Sequence, residues 1–183
     1  MRIVAGKWRG RPLRAPKGLA VRPTSDRVRE AIFDILGERV SGTSVLDLFA
    51  GSGALGLEAL SRGASRAVFV EPDPAAFAVL RKNVETLGAG EAEAWQLDYR
   101  QALRRLRARP QRFDLVFLDP PYRKGLASES AAALSGAGTV RDGGTVVVEE
   151  AVRAPEASFP EGWALFIDRR YGDTRVMLFE VSA

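Results

Sequence analysis

The stretch VLDLFAGSGALG, residues 45–56, constrains this chain more than any other. A short apolar run enters a glycine-rich turn and leaves it as a helix-forming segment. Gly51, Gly53 and Gly56 let the turn close tightly and let backbone approach a ligand. The same strand-then-helix rhythm continues downstream. Strands are expected at Ser44–Phe49, Arg66–Val70, Glu93–Leu97, Phe113–Leu118 and Thr145–Glu149. Helices are expected at Ala54–Arg62, Pro74–Leu87, Tyr99–Ala108 and around Glu129–Leu134. Trp163–Arg169 and Arg175–Val181 alternate in polarity across Tyr171-Gly172-Asp173-Thr174, which reads as a hairpin. Strands alternating with helices imply right-handed crossovers and a parallel sheet with helices on both faces. The predicted fold is therefore α/β, a mostly parallel seven-stranded sheet carrying an antiparallel C-terminal hairpin.

Residues 1–40 read differently, as a basic extension ahead of a main domain at 41–183. A strand is expected at Arg2–Ala5, a turn at Gly6–Gly10 bearing an exposed Trp8, and an extended piece near Arg11–Ala15. A helix follows, with caps available in Pro23-Thr24-Ser25-Asp26 and apolar positions Val28, Ile32, Ile35 and Leu36 at helical spacing before Gly37. Charge separates the two parts. Residues 1–25 hold 7 basic and no acidic side chains, while residues 40–183 hold 17 basic and 19 acidic. A second basic run comprises Arg100, Arg104, Arg105, Arg107, Arg109 and Arg112. Localised positive charge on a near-neutral body is the footprint of a phosphate-backbone binder.

The chain has 0 His and 0 Cys. That removes the commonest general base near neutral pH, thiolate metal sites and disulfides, and no metal site is expected. Chemistry must come from carboxylates, backbone groups, hydroxyls or a cofactor. No apolar run approaches the roughly 20 residues that span a bilayer. The N-terminus lacks the apolar core of a signal peptide, so a cytoplasmic location is expected.

Glu71 falls 20 residues after Gly51, where a carboxylate can accept from ribose hydroxyls. A nicotinamide enzyme fits those features equally well. Asp47 shifts the choice, because a carboxylate inside the strand end would oppose a pyrophosphate but suits the cationic end of S-adenosylmethionine. Asp98 can accept from an adenine amino group, or can simply cap the helix at Tyr99, just as Asp47 can serve as a cap.

Asp119-Pro120-Pro121-Tyr122, after the strand Phe113–Leu118, is the most specific signal. The strands ending at Asp47 and Asp119 should be neighbours where strand order reverses. An aromatic amine is a poor nucleophile, since its lone pair is delocalised. Acceptors for both N–H groups, such as the Asp119 carboxylate and the Pro120 carbonyl, let the nitrogen pyramidalise towards a methyl donor. Proline fixes φ and cannot donate competitively. Tyr122 offers a face on which a base can stack, worth roughly 1–3 kcal/mol.

These motifs resemble the amino-methyltransferases of the Rossmann-like class I. GKWRGRPL (6–13), RPTSDRVREAIFDIL (22–36), LDLFAGSGALGLEALSRGA (46–64) and LDPPYRKG (118–125) further resemble the RsmD family of 16S ribosomal RNA guanine-N2 methyltransferases. The resemblance implies cofactor roles for Asp47, Phe49, Ala50, Gly51, Ser52, Gly53, Glu71, Pro72 and Asp98, and catalytic roles for Asp119, Pro120, Pro121 and Tyr122. It implies RNA contacts for Lys7, Arg9, Arg11, Arg22, Thr24, Arg27 and Arg29, although Arg27 and Arg29 can instead pair with neighbouring acids. It further implies an assembling or assembled 30S subunit as substrate, and a chain of this size suits a monomer. The four-residue motif alone leaves adenine-N6, cytosine-N4 and guanine-N2 open. A DNA or RNA adenine-N6 methyltransferase and a non-catalytic RNA-binding assembly factor are the rival readings.

Overall fold

A computed structural model describes residues 1–16, 26–121, 125–155 and 157–182. The described elements run α1 (Asp26–Leu36), a single 3-10 turn (Gly37–Val40), β1 (Ser44–Asp47), α2 (Ala54–Ser61), β2 (Arg66–Val70), α3 (Pro74–Leu87), β3 (Ala92–Trp95), α4 (Tyr99–Arg107), β4 (Phe113–Leu118), α5 (Leu126–Ala137), β5 (Val140–Ala151), β6 (Trp163–Tyr171) and β7 (Thr174–Val181). The seven strands form one sheet in the order β3-β2-β1-β4-β5-β7-β6. β1 to β5 pair in parallel, whereas β7 is antiparallel to both β5 and β6. This is the α/β architecture expected, closing hairpin included.

Adjacent strand residues point to opposite faces, and both faces are covered. Val45, Phe69, Phe117, Val147 and Leu178 pack on one side with Ile32, Phe33, Leu57 and Leu80 from α1, α2 and α3. Leu46, Val68, Val116, Val148 and Met177 pack on the other with Leu103, Leu106 and Leu134 from α4 and α5. β5 begins earlier than expected. Val140 pairs with Phe113, and a bulge then carries the chain through Gly143, at φ +73°, before pairing resumes at Thr145.

The front of the chain folds back on itself. Ile3 N donates to Arg11 O at 3.0 Å, Gly10 N to Ile3 O at 2.9 Å and Leu13 N to Met1 O at 3.1 Å, around one antiparallel bridge between Arg2 and Pro12. The backbone N–H groups of Val4 and Ala5 donate instead to the Glu58 carboxylate, at 2.8 and 2.9 Å. Lys7 N and Trp8 N donate to the carbonyl and hydroxyl of Ser61, at 2.7 and 3.0 Å. Gly6 sits at φ +80°, where an added Cβ would lie 1.8 Å from the Ser61 carbonyl oxygen, so only glycine permits this approach to α2. Ile3 and Leu13 are buried in the same core as α1 to α3. Trp8 is half-buried against that core rather than exposed. No described helix is long and apolar enough to cross a membrane.

Candidate active site

β1 and β4 are neighbours, with Asp47 opposite Phe117. The chain leaves β1 towards β2 and β3 and returns to β4, so strand order reverses between them. Asp47 and Asp119 therefore meet at the carboxyl end of the sheet, the place where open α/β sheets bind ligands.

Backbone bonds hold the loop between β1 and α2. Leu48 N donates to Phe117 O at 3.1 Å, Ala50 N to Val70 O at 2.9 Å and Gly53 N to Ala50 O at 2.7 Å. Glu71 closes the loop from the end of β2. One of its oxygens accepts from Gly51 N and the other from Asp73 N, both at 2.8 Å. The glycines divide the work. Gly51 and Gly53 take positive φ, +53° and +83°. A Cβ at Gly56 would lie 2.3 Å from the Phe69 ring, so Gly56 lets α2 pack directly on β2. A Cβ at Gly51 would meet nothing within 4 Å, which puts that backbone on the open side of the loop.

Asp47 is buried, and its Oδ2 accepts from Gly56 N at 3.1 Å, capping the first turn of α2. Burial is the main force pushing its pKa from 3.8 to about 7. The Gly56 N–H works against that rise, while the nearby Asp119 and Glu71 carboxylates add to it. Burial also raises the pKa of Glu71, against two backbone N–H donors. Neither Asp47 nor Glu71 joins any ion pair among the described residues. The end of β1 is thus a recess lined by crowded carboxylates, where a cationic ligand group would favour their ionised forms and a pyrophosphate would be opposed.

Asp119 lies just past β4 and is half-buried, followed by buried Pro120 and exposed Pro121. Tyr122 lies outside the described residues, as do Arg22 and Thr24. Phe49 packs on Tyr99 with ring centroids 5.4 Å apart, walling the loop off towards α4. Asp98 caps α4 in a full capping box, accepting from Gln101 N at 2.9 Å, with Pro72 exposed beyond β2. The capping role is therefore met, and Asp98 Oδ1 is the oxygen engaged.

The basic positions separate. Arg9 and Arg27 are exposed. Lys7 pairs with Glu91 at 2.9 Å and lies over the Trp8 ring, and Arg11 donates to Thr86 O at 2.9 Å. Arg29 corrects the expectation of an RNA contact. Its side chain is fully buried, paired with Asp26 at 2.9 Å and Glu58 at 3.6 Å, and bonded to the Arg2 carbonyl. A side chain with no exposure cannot meet a phosphate.

Two polar anchors were not singled out from sequence. Glu58 gathers the N-terminal backbone together with Arg29 and Arg62. Asn83 accepts from Arg14 N at 2.9 Å and donates to the carbonyls of Arg14 and Ser52 at 3.0 and 2.9 Å. It ties the front segment to the glycine loop. Each had a signal: a polar residue at an otherwise apolar helix position, as in Ala76, Leu80, Asn83 and Leu87.

The family model described as "Conserved hypothetical protein 95" matches residues 1–180. The chain is 39% identical over 183 residues to "Ribosomal RNA small subunit methyltransferase D" of Escherichia coli K12, covering 100% of this chain and 91% of that one. Among solved structures, Escherichia coli yhhF superposes with a TM-score of 0.88 at 40% identity, covering 100% of this chain and 98% of that chain. A Thermus thermophilus 16S rRNA N2 methyltransferase, solved with AdoMet and guanosine, superposes with a TM-score of 0.67 at 29% identity, over 90% of this chain and 44% of that one.

Proposed function

Because the chain belongs to the family of ribosomal RNA small subunit methyltransferase D, we propose that it transfers a methyl group from S-adenosylmethionine to the exocyclic N2 of a guanine in 16S ribosomal RNA. The observation that carries this reading is the meeting of Asp119-Pro120 at the end of β4 with the buried Asp47 at the end of β1.

The residues present fit the cofactor. Asp47 is a buried carboxylate without a cationic partner among the described residues, matched to a ligand that carries sulfonium and ammonium charge. The backbone of Phe49, Ala50, Gly51, Ser52 and Gly53 forms the near wall, with Glu71-Pro72 and Asp98 on the side towards β2 and β3. S-adenosylmethionine supplies an electrophilic methyl group when bound. Asp119 accepts one N–H of the base amine and takes up the proton released as the N–C bond forms. The Pro120 carbonyl accepts the other N–H, which holds the nitrogen pyramidal. Catalysis is then positioning and fixed electrostatics, and needs no histidine.

In this reading residues 1–40 contact RNA through Lys7, Arg9, Arg11 and Arg27, and residues 41–183 carry the chemistry. The enzyme works in the cytoplasm as a monomer on the small subunit. A base engaged in pairing must be flipped or lie in a loop to present N2. The test is tritiated methyl transfer to small subunits lacking this modification, followed by nucleoside analysis. N2-methylguanosine is the expected product. N6-methyladenosine, or no incorporation, overturns the reading.

A further inference from the structure

One charged surface plays no part in the site or in the front segment. On α4, Arg100, Arg104 and Arg107 recur at spacings of four and three residues, one face of a helix, with Arg105 on the flank of the exposed side that faces Trp95. All four are exposed, while Ala102, Leu103 and Leu106 bury the opposite face against the sheet. The helix itself contains no acid. Arg100 is paired with Glu129, and Arg109, just beyond the helix, with Glu93. Arg104, Arg105 and Arg107 enter no ion pair among the described residues. The guanidinium groups of Arg105 and Arg109 lie 4.5 and 5.0 Å over the Trp95 ring, which holds them against the protein.

The placement matters as much as the charge. α4 starts at its Asp98 cap, beside the Phe49–Tyr99 wall of the site, and returns along the sheet towards β4. It covers the face opposite the one that receives Ile3, Leu13 and α1. β3 is the edge strand between the two faces. The acids flanking and within it are each matched, Glu91 by Lys7 of the front segment and Glu93 by Arg109. Anionic polymer can therefore approach past this edge without meeting unpaired carboxylates of β3.

We propose that Arg104, Arg105 and Arg107 form a second docking face for the phosphate backbone of folded RNA, separate from the front segment. The proposal rests on the RNA-methylating reading above and extends it. Guanidinium forks match phosphate oxygens, and such contacts set position without reading sequence. Their work is to hold the RNA while a distant base enters the site at Asp119.

The test is the variant Arg104→Gln, Arg105→Gln, Arg107→Gln, bound to protein-free small-subunit ribosomal RNA between about 50 and 200 mM salt. An unchanged melting temperature and unchanged S-adenosylmethionine affinity verify the fold. Loss of three phosphate contacts should flatten the slope of log affinity against log salt by about 2. An unchanged slope overturns the proposal. Weakened binding to assembled subunits alone, with protein-free RNA bound as before, assigns the face to a subunit protein and also overturns it. A flattened slope in a protein whose wild type methylates no ribosomal RNA supports the docking face while overturning the methylation reading.

Discussion

Asp47 and Glu58 are both buried carboxylates, one on β1 and one on the helix that follows, and their surroundings are opposite. Glu58 accepts from Val4 N, Ala5 N and Arg62 Nε at 2.8 to 2.9 Å, with Arg29 Nε at 3.6 Å. Asp47 accepts from Gly56 N and faces two further carboxylates, Glu71 and Asp119. A buried charge persists only when it is paired or hydrogen-bonded. Glu58 meets that condition inside the fold, where it fastens the front segment to α2. Asp47 meets it only partly, and its pKa rises to about 7. Burial alone does not separate an acid that fastens the structure from one available, as proposed for Asp47, to a ligand. The sign of its neighbours is what differs.

The sharpest way to break this comparison is to remove Glu58. Glu58→Ala leaves buried Arg29 with Asp26 as its remaining acid, strips Arg62 of its partner and frees two N–H groups of the front segment. Breaking a buried pair in this way costs about 3–5 kcal/mol. Chemical denaturation should show that loss, with kcat per folded molecule retained. A small loss of stability would mean that the front segment is held by packing alone.

Asp119→Ala should act the other way, on rate rather than stability. Removing a fixed electrostatic partner of the reacting group costs about 10²–10³ in kcat. Cofactor affinity measured by calorimetry should stay within a few-fold. Full activity in this variant would sink the mechanism.

Asp47→Asn tests the ligand-facing half of the comparison, and pH supplies its sign. The folded pKa of about 7 lies above the ordinary 3.8, so folding favours the protonated acid. Its contribution to stability is full below 3.8 and is lost as pH rises through about 7. The unliganded wild type should melt at lower temperature at pH about 8 than at about 5, and Asp47→Asn should flatten that trend. A cationic cofactor prefers the ionised form, so its affinity should fall by up to about tenfold per pH unit below 7. The variant should bind about 10–100-fold more weakly at pH 8 and lose this dependence. A wild-type affinity independent of pH would remove Asp47 from the cofactor site.

The core sheet was legible because short apolar strands and period-3.6 helices alternate from Ser44 onward, with period-two alternation in the closing hairpin. The pairing of β1 with β4 followed from topology, which is why Asp47 and Asp119 could be placed together before any coordinates. The front segment was not legible in the same way. Several of its backbone partners lie on α2 and α3, and no local pattern announces that Val4 and Ala5 will donate to Glu58. For Arg29 the alternative of pairing with a neighbouring acid holds, through Asp26 at 2.9 Å, while its burial also depends on Glu58, which lies on another helix. Asp98 meets the capping alternative read from the sequence, completed into a capping box by Gln101.

Asn83 yields the smallest effect and joins the two halves of the comparison. Its amide bonds the backbone of Arg14 in the front segment and the carbonyl of Ser52 in the glycine loop. Asn83→Ala leaves the Ser52 carbonyl without its buried donor and releases the part-buried Arg14 backbone, at about 1–3 kcal/mol. Loss of stability alone would place Asn83 with Glu58, as a fastener. A loop freed at Ser52 should also raise the KM for cofactor several-fold while kcat stays near the wild-type value. Asn83→Ser retains a donor and an acceptor on a shorter stem, and should recover part of the stability. A KM identical to wild type in both variants would show that the glycine loop is held by Glu71 and its own backbone, without help from the front segment.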